Sequence, residues 1–472
     1  MAEDIKYDGA GTEGQRSIRD ADGRLRVDVI EAVEQAVAAG ETARLLELAG
    51  GLHEADLGAL VEALHPDSRP RLVELMGGDF DFAALTEVPD AVREEILEEL
   101  PTETVAEGVS ELESDDAVAL LEDLEPHEQE EILDAMPALE RTALQRSLDY
   151  PEKSAGRLMQ TTLVAAPPTW TAGQTLDHLR EGDQDSLPDS FFEVFVVDLA
   201  HRLLGNVFLD ALARARSMAT LQDIMHADRR RVHVDDEEEE VARLFERYNL
   251  VSAPVVDDQD RLVGVITIDD IVDVIQEAAD QDIKALGGVS RREEIGDGLL
   301  TVARGRFVWL FINLATAFLA SSVLGLFQGQ LQKMVALAIL APIVASQGGQ
   351  AATQTMTVAV RALATRELSR ANAMRIILRE FFVGGLNGAA FGVVTGIAAV
   401  VWFGIGPLGV VIAAAMLTNM IAAAFGGILV PLALEKFGVD PAVSSGAFVT
   451  TVTDVVGYFS FLSFATLYFG LN

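Results

Sequence analysis

The sequence predicts a multidomain chain in four parts: an all-α helical-repeat N domain, an α/β tandem pair of small modules, a connector (plug) helix, and a five-helix α transmembrane domain. Three observations predict it. At 472 residues the chain exceeds one ordinary domain. Half of its residues are hydrophobic, yet its formal charge is −39. These two properties are also segregated. From Arg306 onward five acids face eight Lys or Arg, a net of +3, whereas the residues before it hold 69 acids and 27 bases, a net of −42. An acidic, water-facing half is joined to an apolar one.

Residues 1–27 are polar and Gly-rich with no apolar core, which rules out a secretory signal there and predicts a disordered tail. Residues 28–150 read as short amphipathic helices broken at Pro66, Pro89, Pro101, Pro126 and Pro137. The stretch ELESDDAVALLEDLEPHEQEEILDAMP shows the unit: a helix, a break at Pro126, and another helix. Imperfect repetition at about 25 residues predicts stacked helix pairs whose leucines form the core.

Residues 151–278 repeat an α/β pattern twice, at about 151–216 and 217–278. Each copy has an entry segment, a helix, a strand (VFVVD or APVVD), a turn, a second strand and a closing helix. The pattern resembles a tandem pair of CBS domains, small modules that pair and often bind adenine nucleotides. That resemblance implies Thr267 and Asp270, in GVITIDD, as ribose-holding residues for ATP. The corresponding positions of the first copy are Phe208 and Ala211, so at most one nucleotide site is expected. Structural pairing alone is the other reading. Residues 279–305 follow as a charged connector, long enough for a helix along the cytoplasmic membrane face.

Apolar stretches at about 307–327, 334–360, 381–403, 408–433 and 444–470 are each long enough to cross a bilayer. The loop between the second and third carries Arg361, Arg366, Arg370, Arg375 and Arg379, which predicts a cytoplasmic location for it. The uncharged loop 404–407 is then outside. Five spans with that orientation give a multi-pass plasma-membrane protein with a cytoplasmic N-terminus and an extracellular C-terminus.

Asp454 is the one ionisable residue deep in a hydrophobic stretch. A carboxylate at that depth costs several kcal/mol unless it is paired or wet, so it marks a polar pathway. Thr450, Asp454 and Gly457 share a helix face at i, i+4, i+7. A hydrogen-bonded packing acid is the alternative. The second span is interrupted by Pro342 and Ser346-Gln347-Gly348-Gly349-Gln350, a pattern suited to an irregular helix lining a cavity. For these amides and for Asn419 in the fourth span, interhelical hydrogen bonding is the competing reading. Gly384, Gly388, Gly392 and Gly396 recur every fourth residue as a close-packing ridge.

Composition excludes several classes. Without cysteine there is no disulfide framework or thiolate metal site. The acidity argues against a nucleic-acid partner. Neither a nucleophile–base pairing, a Walker motif nor HExxH is present, so no enzyme is expected. Five lysines against thirty arginines, with so many acids, also fits a halophilic surface, which competes with ligand sites as the source of the acid excess.

The order of parts resembles the MgtE family of magnesium channels. The match rests on DPAVSSGAFVTTVTDVVGYFSFL around Asp454, on Asn419, on GGLNG in the third span and on VRALATREL after the second. Two departures stand out. Gly348-Gly349-Gln350-Ala351-Ala352-Thr353-Gln354 replaces the family's Gly-Gly-Asn-Ala-Gly-Asn-Gln, and the connector has Gln276 and Gln281 in a run that is more acidic elsewhere. The resemblance implies a homodimer in the lipid bilayer, with one pore on its two-fold axis lined by the second and fifth spans. Asp454 would face the ion, with Thr450, Thr451, Gly349, Gln350 and Asn419 as pore-lining candidates. Mg²⁺ would be both substrate and regulator, the regulatory candidates being Asp440, Asp269, Asp270, Asp273, Glu277, Asp280 and Asp282. Two alternatives remain: a Co²⁺, Mn²⁺ or Zn²⁺ transporter of the same architecture, and a non-transporting sensor of nucleotide or ionic strength.

Overall fold

The structure, a computed structural model, describes residues 18–471 except 123, 182–186, 189, 228–229, 292, 294–297 and 369–371. It divides into two compact units, Met1–Gln276 and Glu277–Asn472.

Among the described residues, the first unit opens with nine α-helices between Val27–Ala39 and Ala138–Leu148, connected by turns and short 3-10 segments. Proline sets the rhythm. Pro89, Pro101 and Pro137 immediately precede helices, and Pro126 occupies a first helical position. There its missing N–H costs nothing and its fixed φ favours the helix. One leucine-rich core, including Leu45, Leu57, Leu60, Leu72, Leu85, Ile96, Leu120 and Leu121, runs through the helices. Of the expected tail of 1–27, residues 1–17 lie outside the described residues and 18–26 are ordered. Ile18 is only 6% exposed, and Arg19 Nε donates to Asp56 Oδ1 at 2.6 Å. A single apolar side chain with a charged anchor beside it is below the resolution of a compositional argument.

Among the described residues, the α/β part holds two three-stranded sheets of matching plan. β1 (Ala165–Ala166) pairs parallel with β2 (Glu193–Val197), which pairs antiparallel with β3 (Leu203–Phe208). β4 (Val232–His233), β5 (Ser252–Val256) and β6 (Leu262–Thr267) repeat this, down to a register shift at the same place. Even the hairpin tips match. Asp198 Oδ1 accepts from the backbone N–H groups of Ala200 and Arg202, and Asp257 Oδ1 from those of Gln259 and Arg261. His201 and Asp260 take the left-handed conformation at equivalent positions. The two copies meet through Phe195, Val197, Leu203, Val256, Leu262 and Val265.

The helix Ile268–Leu286 begins directly after β6, in the first unit, and ends in the second. Of the expected connector over 279–305, residues 279–286 are therefore the last turns of a longer helix, and 299–305 are the first turns of the next one. The helix stops at Gly287-Gly288, where Gly288 adopts φ +71°, and the next begins at Leu299. Without a proline between the module and the connector, nothing ends the helix at their border.

Among the described residues, five helices of the second unit are long and apolar enough to cross a membrane: Leu299–Leu326, Val335–Ala364, Ala373–Phe403, Gly406–Lys436 and Pro441–Phe469, the last apolar over Gly446–Phe469. We call them spans one to five. At 1.5 Å per residue, helices of about 30 residues reach about 45 Å, so their ends pass beyond a hydrocarbon core of about 30 Å. Span four is central and packs against spans two, three and five. The glycine ridge of span three explains one of these contacts. A Cβ on Gly384, Gly388, Gly392 or Gly396 would lie 2.7–3.0 Å from span-four atoms of Met420, Leu417, Ala413 and Gly409 respectively. The ridge brings two backbones together.

Candidate functional site

Two sites emerge, one in each unit. In the second, Asp454 lies on span five, half-buried, and has no hydrogen-bond or ion-pair partner among the described residues. Around it, threonine hydroxyl protons are committed to their own helix. Thr450 Oγ1 donates to Gly446 O at 2.8 Å, Thr451 Oγ1 to Ala447 O at 2.6 Å and Thr453 Oγ1 to Thr450 O at 2.9 Å. The partly accessible oxygens of Thr450 and Thr451 therefore present lone pairs, the chemistry of a hard-cation path, whereas Thr453 is fully buried.

Span two supplies the neighbouring wall. Gly349 faces Thr450 and Thr453, since a Cβ there would be 3.9 Å from each side chain. Ser346, Gln350, Thr353, Gln354 and Thr357 are exposed along one side of the helix. A polar stripe on a membrane helix is costly against lipid and suits water or a partner. Of the pore-lining candidates, Thr450, Thr451, Gly349 and Gln350 are at least partly accessible. Asn419 is not. It is 0% exposed, and its Nδ2 donates to Val344 O of span two at 2.8 Å. Here the pore-lining expectation is corrected, for a physical reason: span four packs against spans two, three and five, so Asn419 at its middle meets protein rather than a cavity.

Asp440 sits at the entrance to span five. Its Oδ1 accepts from Ala442 N at 2.8 Å, capping the helix, and its other oxygen pairs with Arg291. Arg291 also lies 3.8 Å from Asp282 Oδ1. The two regulatory candidates thus share an arginine. Nearby, Ala285 at the end of the connector helix is buried with Ala352, Met356, Val360, Ala423, Ala442 and Val449 of spans two, four and five. Glu277 accepts from Gln281 Nε2 at 2.5 Å, and both Glu277 and Asp280 are exposed.

In the first unit, Asp269, Asp270 and Asp273 at the start of the connector helix meet acids of the helical domain. Burial, then the carboxylates of Asp270, Asp116 and Glu113, push Asp115 well above the usual carboxylate range. Asp115 Oδ1 is buried without a hydrogen-bond partner among the described residues. Burial first, then Glu113, Glu54, Asp269 and Glu87, raises Asp116 to about 6. Burial and Asp269 lead the causes that raise Asp270 to about 7, against the lowering hydrogen bond from Thr267 Oγ1 at 3.0 Å. Asp273 and Glu87 move upward too, again from burial first and neighbouring acids second. The helical-domain members (Glu54, Glu87, Glu113, Asp115, Asp116) are absent from the expected list. The ESDD run was the only sequence signal, and acidic runs are common in this half. Among the described residues no three acids or histidines are grouped as a ready-made metal cage.

Thr267 also borders a cleft between the two modules, together with Gln160, Glu193, Phe195 and Ser252. Its free volume is about 20 Å³. That is the space of a water or two rather than a purine. Glu193, 2% exposed, accepts from Ser252 Oγ at 2.6 Å and from Asn206 Nδ2. In the first copy, Phe208 and Ala211 stand where Thr267 and Asp270 do.

Three family descriptions match. "Divalent cation transporter" (MgtE) covers residues 341–464, "MgtE intracellular N domain" 52–153 and "CBS domain" 221–277. The chain is 32% identical to "Magnesium transporter MgtE" of Thermus thermophilus over 444 residues, 89% of this chain and 98% of that protein. It is 29% identical to the protein of the same name from Bacillus subtilis over 361 residues, 76% and 80% of the two chains. Among solved structures, the cytosolic domain of the Mg²⁺ channel MgtE in complex with ATP aligns at 29% identity with a TM-score of 0.48, covering 52% of this chain and 99% of that one.

Proposed function

The chain belongs to the MgtE family of magnesium transporters, and from that premise we propose that it is a multi-pass membrane protein that conducts Mg²⁺ past Asp454 under feedback from cytoplasmic Mg²⁺. The observation that carries the reading is Asp454 itself: a carboxylate in a membrane helix, without a protein partner among the described residues, beside threonine oxygens and a glycine wall. A dication crossing at that level offsets the cost of holding the charge there.

Mg²⁺ sheds its waters reluctantly and demands octahedral oxygens. One Asp454 supplies a single negative charge, so a second copy across a two-fold axis is part of the proposal. Two carboxylates then balance the ion's charge and hold it through its water shell. The polar stripe of span two supports placing water or a partner on that side. The arginines of 361–379 support a cytoplasmic loop, with the acidic half inside and the last residue outside.

For regulation, the acids of the helical domain and of the connector start are the sensor. Without Mg²⁺ their charged forms repel. With Mg²⁺ bound between them the parts draw together, and the connector helix, whose end packs on spans two, four and five, carries the change toward the pore. Asp440, Asp282, Glu277 and Asp280 belong to the membrane-side portion of the same device. Thr267 and Asp270 remain the candidates for ATP, and the cleft beside them has to widen to admit a purine.

Reconstituted vesicles with an external Mg²⁺ gradient and an internal indicator test the conduction step. Asp454→Ala is expected to abolish Mg²⁺ influx while the protein stays folded in detergent. Influx at the wild-type rate would refute the assignment. Running Co²⁺, Mn²⁺ and Zn²⁺ in the same vesicles separates the ion preferences.

A further inference from the structure

Asn419 makes one hydrogen bond, to Val344 O, and its Oδ1 is buried with no partner among the described residues. Two glycines frame this amide. A Cβ at Gly348 of span two would overlap its Nδ2, and one at Gly457 of span five would approach Nδ2 to 2.8 Å and Cγ to 3.1 Å. The side chain therefore occupies the space that both glycines vacate, reaching from span four into the seam between spans two and five. Its neighbours along each helix adjoin candidate path residues: Gly348 precedes Gly349, which lies against Thr450 and Thr453, and Gly457 follows Asp454 by three residues.

We propose that Asn419 is a positioning residue that sets the spacing of spans two and five at the level of Asp454, and thereby the discrimination between Mg²⁺ and larger divalent cations. The inference rests on the reading of Asp454 as facing the ion. A buried amide whose carbonyl oxygen is unmet is costly where an apolar side chain could pack. Its shape and its donor explain its place. The Nδ2 bond fixes the amide to the backbone of span two, and the two missing Cβ atoms let both backbones close onto it. Replaced by a smaller residue, the wedge is lost and the two walls can shift. Mg²⁺ keeps its waters in a rigid octahedron, whereas Ca²⁺ accepts variable coordination at longer distances, so a changed bore alters their ratio before it abolishes passage.

The full-length protein in vesicles tests this, with Mg²⁺ and Ca²⁺ influx measured for the wild type, Asn419→Ala, Asn419→Ser, Gly348→Ala, Asn419→Ala/Gly348→Ala and Asp454→Ala. Asn419→Ser is carried in parallel because it keeps a donor and fits the slot, so the selectivity criterion applies to whichever of the two single variants folds. The Ca²⁺-to-Mg²⁺ influx ratio is expected to change about fivefold or more in Asn419→Ala, a lesser change being expected for serine. Gly348→Ala, whose Cβ meets the amide, is expected to lose about tenfold of Mg²⁺ influx, and the double variant to regain most of it because the methyl enters the vacated space. A wild-type ratio in the Asn419 variants, or an equal loss in Gly348→Ala with and without Asn419, overturns the proposal. If Asp454→Ala conducts normally, the pore reading fails. If Asp454→Ala is inactive while the ratio in the Asn419 variants is unchanged, only the positioning role fails.

Discussion

Removing a carboxylate from the acidic cluster of the first unit is expected to stabilise the Mg²⁺-free protein. Asp270 is the position to change. Raising it from 3.8 to about 7 corresponds to about 4 kcal/mol disfavouring its charged form, and raising Asp116 from 3.8 to about 6 to about 3 kcal/mol. The two energies overlap because the acids belong to one interacting group, so they do not add. Asp270→Asn removes the charge and keeps an oxygen for Thr267 Oγ1. At pH 7.5 without divalent cations, a gain of about 1–2 kcal/mol corresponds to a rise of roughly 2–8 °C for a unit of this size. The sign with pH follows from the direction of the shifts. Groups raised in the folded state favour folding below their unfolded values near 4, and this is lost as pH rises through about 6 to 7. Scanning calorimetry of the full chain in detergent, at pH 5.5 and 7.5 with and without Mg²⁺, measures all of this. Mg²⁺ is expected to stabilise the wild type more at pH 7.5 than at pH 5.5, and Asp270→Asn less than the wild type at either pH. A variant less stable than the wild type in Mg²⁺-free buffer at pH 7.5, with an undiminished Mg²⁺ effect, would refute the reasoning.

Two further predictions concern the second unit. Arg291→Gln leaves Asp440 and Asp282 without their shared cation. Partly exposed pairs contribute about 1 kcal/mol or less, so a few-fold shift toward lower internal Mg²⁺ for half-inhibition of influx is expected. A dose–response curve identical to the wild type's would show that the arginine has no part in gating. Gly392→Ala puts a Cβ 2.9 Å from Ala413 O, whereas at Gly385 in the same span nothing lies within 4 Å. The first change is expected to cost about 1–3 kcal/mol and the second to be near neutral. Equal melting temperatures for the two variants would contradict the ridge packing.

The division into an acidic and an apolar half, the proline-punctuated helices, the duplicated α/β modules and the five apolar spans were legible because each depends on local periodicity or composition. So was Asp454, since one charge among some twenty apolar residues needs no tertiary context to stand out. Ile18 was not, because one apolar residue in a polar segment carries no period. The continuity of the connector helix into the second module was hidden by the absence of a breaker between them. Asn419 shows the other limit. Its sequence position announces a buried amide in a membrane helix, but whether it meets water or protein depends on which span the others enclose, and only the packed bundle decides that. The acid cluster is the same case in charged form. Asp115 and Asp116 are two acids among many in sequence, and become distinctive because folding carries them into partial burial beside Asp269 and Asp270, where solvent screens one carboxylate from the next less than at an open surface. Sequence determined what kind of surface each segment must bury. Long-range packing decided which polar groups share that burial, because the cost of a buried charge is set by neighbours that no local pattern brings together.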